Sequence, residues 1–155
     1  MFPHTHFIYI WRRDLLQQAI STEIAFQTKI WKLKDDQSNR ERNRLQFKPL
    51  NIYRYKEGLQ RYNQGWRKFF AKNSIEFHEI VYEEFVKSFE AFILKVLDFL
   101  DCKLKSGKMI EMPIKKQSNE VNQAWYRCYN YIPEGLLANY SKMRASIRQL
   151  IRKES

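Results

Sequence analysis

The chain has 155 residues, 44% of them hydrophobic and 15% aromatic. That is enough apolar chain for one domain with a buried core, and it excludes a disordered polypeptide. A formal charge of +11 favours an anionic partner: a nucleotide, a nucleic acid, a sulfated or phosphorylated small molecule, or anionic lipid. Cys102 and Cys128 lie far apart and outside any C-x-x-C, and His4, His6 and His78 have no paired spacing. No metal site is therefore expected, and two reduced thiols fit a cytoplasmic protein. No secretory signal is read at the start, and no apolar run approaches the roughly 20 residues of a spanning helix.

In chain order, Phe7–Trp11 is an apolar run that stops abruptly at Arg12-Arg13-Asp14, as a buried strand does when it delivers cations to the start of a helix. In a parallel α/β sheet that point, outside the carboxyl end of the strand, is where phosphates bind. Asp14 caps the next helix, whose apolar positions Leu15, Leu16, Ala19, Ile20, Ile24, Phe26, Ile30 and Trp31 recur at three- and four-residue steps. Lys34 to Lys48 is polar and carries Arg40, Arg42 and Arg44, a solvated basic loop. A second helix is expected over Tyr53–Lys72, with Tyr55, Leu59, Tyr62, Trp66 and Phe69 on one stripe, weakened but not ended by Gly58 and Gly65.

Asn73-Ser74 breaks that pattern and Ile75–Tyr82 alternates as a strand. One long helix is expected over Glu83–Leu100, turning Phe85, Phe89, Phe92, Val96 and Leu100 to the core. After a loop over Lys103–Pro113, a short helix spans about Ser118–Cys128. Pro133-Glu134 opens a last helix on Leu136, Leu137, Tyr140, Met143, Ile147 and Leu150, with Lys142, Arg144, Arg148, Arg152 and Lys153 on its other face. Core packing explains that stripe more simply than attachment to a membrane surface. Trp31, Trp66 and Trp125 read as core anchors, and His78 as a satisfied buried imidazole.

These elements give an α/β fold, mostly helical, with about two parallel strands near 7–11 and 76–81. A parallel pair needs cover on its faces and edges, so the chain is expected to be part of a larger α/β fold or to fold with a partner.

Several stretches together resemble the sulfotransferase family typified by bacterial trehalose sulfotransferase. They are Phe7–Asp14, Gln18-Ala19-Ile20-Ser21, and the Gln-Thr-x-x-Trp element Gln27-Thr28-Lys29-Ile30-Trp31. Trp66-Arg67-Lys68-Phe69-Phe70, Tyr82-Glu83-Glu84-Phe85, and Lys116-Gln117-Ser118 with Trp125 complete the likeness. The resemblance implies a partial P-loop-like sulfotransferase fold, with residues 1–132 a C-terminal portion of that domain and 133–155 a basic helix beyond it. It implies 3′-phosphoadenosine 5′-phosphosulfate as sulfuryl donor, no metal, and a carbohydrate or glycolipid acceptor.

By residue match, Arg12 and Ser21 would contact the donor's 3′-phosphate, a guanidinium forking onto two oxygens and a hydroxyl donating to a third. Arg13 is the residue most easily confused with Arg12, and Lys116 and Gln117 could reach the same nucleotide. The resemblance places the 5′-phosphosulfate loop and the catalytic base in a front half that these residues do not match. None of Gly58, Gly65, Gly107 and Gly135 lies in a Ser/Thr-rich turn between a strand and a helix. The chain is accordingly expected to be inactive alone, either a truncated product or one whose front half is on another chain; the family also admits a homodimer. A small basic protein gripping nucleic acid or another polyanion, without sequence specificity, is the competing reading.

Overall fold

The computed structural model describes residues 5–31, 45–103 and 120–153. They divide into two compact units, one of residues 5–13 and 61–103 and another of 14–31, 45–60 and 120–153. Lys116 and Gln117, the basic loop carrying Arg40, Arg42 and Arg44, and most of the stretch read as a loop over Lys103–Pro113 lie outside the described residues.

The first unit is built on two strands, β1 (Phe7–Trp11) and β2 (Phe77–Val81), paired in parallel with Phe7 opposite Phe77 and Trp11 opposite Val81. Alternation sends Phe7, Tyr9 and Trp11 to one face. There Phe70, from the end of a helix α2 (Pro49–Lys72), is the hub of an aromatic cluster: its ring lies 4.4 Å from Phe77, 5.7 Å from Phe7 and 5.8 Å from Tyr9. Arg67, one turn earlier, ion-pairs with Glu79 and sits 5.0 Å over the Trp11 ring. On the opposite face His78 meets Phe99 at 5.4 Å. Its Nε2 is buried and finds no hydrogen-bond partner among the described residues, so the imidazole is not satisfied as the sequence suggested.

The expected single helix over Glu83–Leu100 is two, α3 (Tyr82–Lys87) and α4 (Phe89–Phe99). Ser88 breaks it by leaving helical geometry (φ −135°, ψ 51°), while its N–H still donates to Glu84 O at 3.1 Å and its carbonyl starts the next ladder from Phe92 N. Serine competes poorly for a helix interior. Neither short helix contains a fully buried residue, so the core-facing stripe expected there is only half covered.

The second unit is helical. In α1 (Leu15–Thr28), Leu16, Ala19, Ile20 and Glu23 are buried at i, i+3, i+4 and i+7. They meet Asn122, Trp125 and Tyr129 of α5 (Glu120–Asn130). Ile52 of α2 and Leu137 of α6 (Glu134–Lys153) complete the core, with Leu45, Phe47, Tyr55 and Leu59 packed around it. Asp14 caps α1 as expected, Oδ1 accepting from Gln17 N at 2.9 Å. Helix α2 begins at Pro49, four residues before the apolar pattern does, because proline suits a first turn whose N–H is unpaired anyway.

The tryptophan assignment holds for Trp125, which is 8% exposed. It fails for Trp31 and Trp66, which are 60% and 49% exposed. The stripe of α2 likewise gives out after Leu59: Phe70, one step of about 100° round the helix, is buried in place of Phe69.

Candidate functional site

Two stretches 70 residues apart, the Arg12-Arg13 end of β1 and Tyr82-Glu83-Glu84 after β2, come together where the parallel strands end side by side. The Arg12 guanidinium lies over the Tyr82 ring, 3.6 Å from its centroid. That arrangement holds the charge by cation–π attraction and leaves the edge of the fork for other acceptors. Among the described residues Arg12 makes no ion pair. Arg13 differs: its guanidinium pairs with Glu84, and its backbone N–H donates to Glu83 Oε2 at 3.1 Å. Both partners of that pair are largely exposed, so the contact is weak and exchangeable. The two carboxylates also suit the first turn of α3, where the helix dipole favours negative charge.

Ser21 belongs to the second unit, half-buried on α1. Its Oγ accepts from Asn122 Nδ2 at 3.0 Å, so the hydroxyl proton itself remains a donor. Asn122 is 6% exposed, and it reaches Ser21 across 101 positions of sequence. The sequence reading missed it; its one signal was a polar side chain on a face otherwise carrying Trp125 and Tyr129. Arg12 and Arg13 are thus set within one unit and Ser21 within the other, each with its own supports.

The Gln-Thr-x-x-Trp element is a helix-ending device. Gln27 uses its whole amide: Nε2 donates to Glu23 Oε1 (2.6 Å) and Gln46 O (2.7 Å), and Oε1 accepts from Gln46 N (2.8 Å). Glu23, 2% exposed, also accepts from Asn51 Nδ2 at 3.4 Å. Thr28 Oγ1 donates to Ile24 O and accepts from Ile30 N, while Lys29 takes the left-handed turn at φ 60°. Trp31 meets Phe26 edge-on at 5.1 Å.

Three tyrosines have raised pKa values. Burial leads in each: Tyr129 is pushed up to about 12, with Glu134 adding. Tyr55 is raised with help from Glu23, and Tyr9 is raised although Arg67 opposes the shift. All three stay protonated and neutral near pH 7, so none is set up as a base. Among the described residues no cluster of His, Cys, Asp or Glu could hold a metal ion, and no helix is long and apolar enough to cross a membrane.

Residues 1–131 match the family model of the Stf0 sulphotransferases. The chain is also 27% identical over 125 residues to trehalose 2-sulfotransferase of Mycobacterium tuberculosis (strain ATCC 35801 / TMC 107 / Erdman). That alignment covers 79% of this chain and 45% of the relative, so the chain spans about half the length of the protein it matches. These likenesses lend nothing to the reading as a basic nucleic-acid-binding protein. A match over most of its length shows that the chain belongs to the Stf0 sulphotransferase family.

Proposed function

We propose that the chain is the donor-nucleotide-binding portion of a sulfotransferase that uses 3′-phosphoadenosine 5′-phosphosulfate and sulfates a hydroxyl of a carbohydrate or glycolipid. The observation that carries this reading is the pair of guanidiniums at the carboxyl end of β1, one stacked on Tyr82 with no carboxylate partner among the described residues. An end of parallel strands is where an α/β sheet receives phosphate. A stacked guanidinium without a counter-charge is pre-oriented to fork onto a phosphate dianion. Arg13 would exchange its exposed Glu84 contact for the same anion. Ser21, its oxygen already engaged by Asn122, would donate a hydrogen bond to a phosphate oxygen, and Lys116 and Gln117 would add further contacts.

When bound, the donor supplies the sulfuryl group. The reaction joins the acceptor oxygen to sulfur, breaks the sulfur–oxygen bond to the 5′-phosphate and delivers the acceptor proton to a base. Residues 1–132 would form a C-terminal portion of a P-loop-like domain, with 133–155 a basic helix beyond it. The groups that grip the sulfuryl end and take the proton would come from sequence this chain does not match. The 155-residue chain alone is therefore assigned binding rather than turnover, and transfer of labelled sulfate by it alone would overturn that assignment.

Calorimetric titration of adenosine 3′,5′-bisphosphate into the purified chain tests the binding. Loss of a charge-assisted contact in Arg12→Ala or Arg13→Ala should weaken binding about 10- to 100-fold, and Ser21→Ala about fivefold. The larger arginine effect identifies the residue that forks onto the phosphate. A folded chain that does not bind, or binding unchanged in all three variants, would refute the site.

A further inference from the structure

Helix α6 presents an apolar face that its own unit does not use. At about 100° per residue, Leu136, Tyr140, Met143 and Ile147 fall within an arc of roughly 60° along one side. All four are between 47% and 63% exposed. The inward side of the helix is fixed independently by three contacts. Leu137 is buried, Glu134 bonds Lys56 Nζ at 2.7 Å, and Ser141 Oγ accepts from Arg54 Nε at 3.4 Å. That inward direction is turned about 120° from the apolar arc. Every residue from Lys142 to Ile147 is exposed, so this part of α6 stands clear of the core that the sequence stripe was expected to fill. Exposed Arg144 borders the arc on one side, and Asn139 and Ser146 border it on the other.

We propose that this face docks in the surface of a lipid bilayer carrying anionic headgroups, the helix lying in the plane of the interface. Charge decides between occupants. A second copy would bring cation against cation, since α6 carries five Lys and Arg against the single acid Glu134 and the chain as a whole is +11. Its flanking Asn139 and Ser146 offer nothing to neutralise Arg144 of another copy. An anionic bilayer complements Arg144 beside the arc and the net positive charge of the helix and the chain, and it accepts side chains of unequal shape. Leu136, Met143 and Ile147 would enter the acyl boundary, and Tyr140 would keep its hydroxyl at headgroup level. The proposal does not rest on the sulfotransferase reading, because α6 shares none of the residues assigned to the nucleotide.

The test is flotation of the full 155-residue chain with phosphatidylcholine vesicles, with and without phosphatidylserine. The chain should rise only with phosphatidylserine. Arg144→Glu, a change of two charges at the rim of the face, should weaken binding about 30-fold, Met143→Ser/Ile147→Ser about tenfold or more, and Arg12→Ala should leave it unchanged. Circular dichroism shows that each variant is folded, and all three exchanged α6 residues are exposed already. Three results would each overturn the proposal: a folded wild type that ignores both vesicles, binding indifferent to the serine pair, or a sedimenting dimer abolished by that pair. The second would mean plain electrostatic adhesion, and the third a seam between copies.

Discussion

Gln27→Ala should be among the most damaging substitutions at a side chain that is not fully buried. The variant loses the three hydrogen bonds of the Gln27 amide. Two of them tie the Gln46 backbone to α1 and are partly open to water, so each contributes about 0.5–1 kcal/mol. The third matters more, because Glu23 is 2% exposed and among the described residues would keep only the long contact from Asn51. An under-satisfied buried carboxylate adds about 1–3 kcal/mol. Alanine's better helix propensity returns a few tenths. The net expectation is about 2–4 kcal/mol, a large part of the roughly 5–15 kcal/mol that holds a typical domain.

Urea denaturation followed by circular dichroism should show this as a midpoint lowered by roughly 1–2 M. The near-ultraviolet signal should change even in the native state, because Gln46 is flanked by Leu45 and Phe47, and Phe47 packs 5.6 Å edge-on to Trp125. Glu23→Gln, which keeps an acceptor for Gln27, should cost about 1 kcal/mol or less. A cost below about 0.5 kcal/mol for Gln27→Ala would refute the clamp and leave the motif's glutamine to be explained by a ligand.

Gly58→Ala and Gly65→Ala on α2 should each stabilise by about 0.5–1 kcal/mol, since an added Cβ meets nothing within 4 Å at either position; a lowered Tm in either variant would contradict that. Tyr82→Leu should weaken nucleotide binding about threefold to tenfold by freeing Arg12 from its stack, while Tyr82→Phe, which keeps the ring face, should not; equal losses would mean that the hydroxyl matters instead. The Tyr129 pKa is raised in the folded state, so the fold binds more protons than the unfolded chain between pH 10 and about 12, and stability falls as pH rises through that window. The loss should be on the order of 1–2 kcal/mol once solvent screening is allowed for; in Tyr129→Phe, thermal melts across that window should lose this part of the slope.

The elements were legible wherever local chemistry and burial agree. β1 ends where two arginines meet an Asp cap, and α1 buries the 3.6-period face its sequence shows. Legibility failed where periodicity reports an apolar face but not what covers it. The second half of α2 turns Phe70 rather than Phe69 inward, because the aromatic rings of β1 and β2 sit on that side. The seam of α6 faces solvent because Leu137, Ser141 and Glu134 orient the helix the other way. Ser88 split an apolar run that reads as one continuous helix, since a single residue outside the helical well suffices to restart the ladder.

The candidate site shows the same division on a finer scale. Arg12 and Arg13 are adjacent and chemically identical; the family likeness singles out Arg12, but residue type alone gives no physical reason for the choice. The residues at the start of α3 separate them, with an aromatic face under one guanidinium and a carboxylate beside the other. A ring holds a cation's orientation without neutralising it, whereas a carboxylate neutralises it and must be displaced before a phosphate can bind. Tyr82-Glu83-Glu84 thus gives two neighbouring arginines unequal surroundings, a property belonging to neither strand alone. The same holds for Ser21, whose donor capacity is set by Asn122 from a distant helix. Residue type names the chemistry each position could perform, and the contacts brought across 70 and 101 positions of chain decide which of them are prepared to perform it.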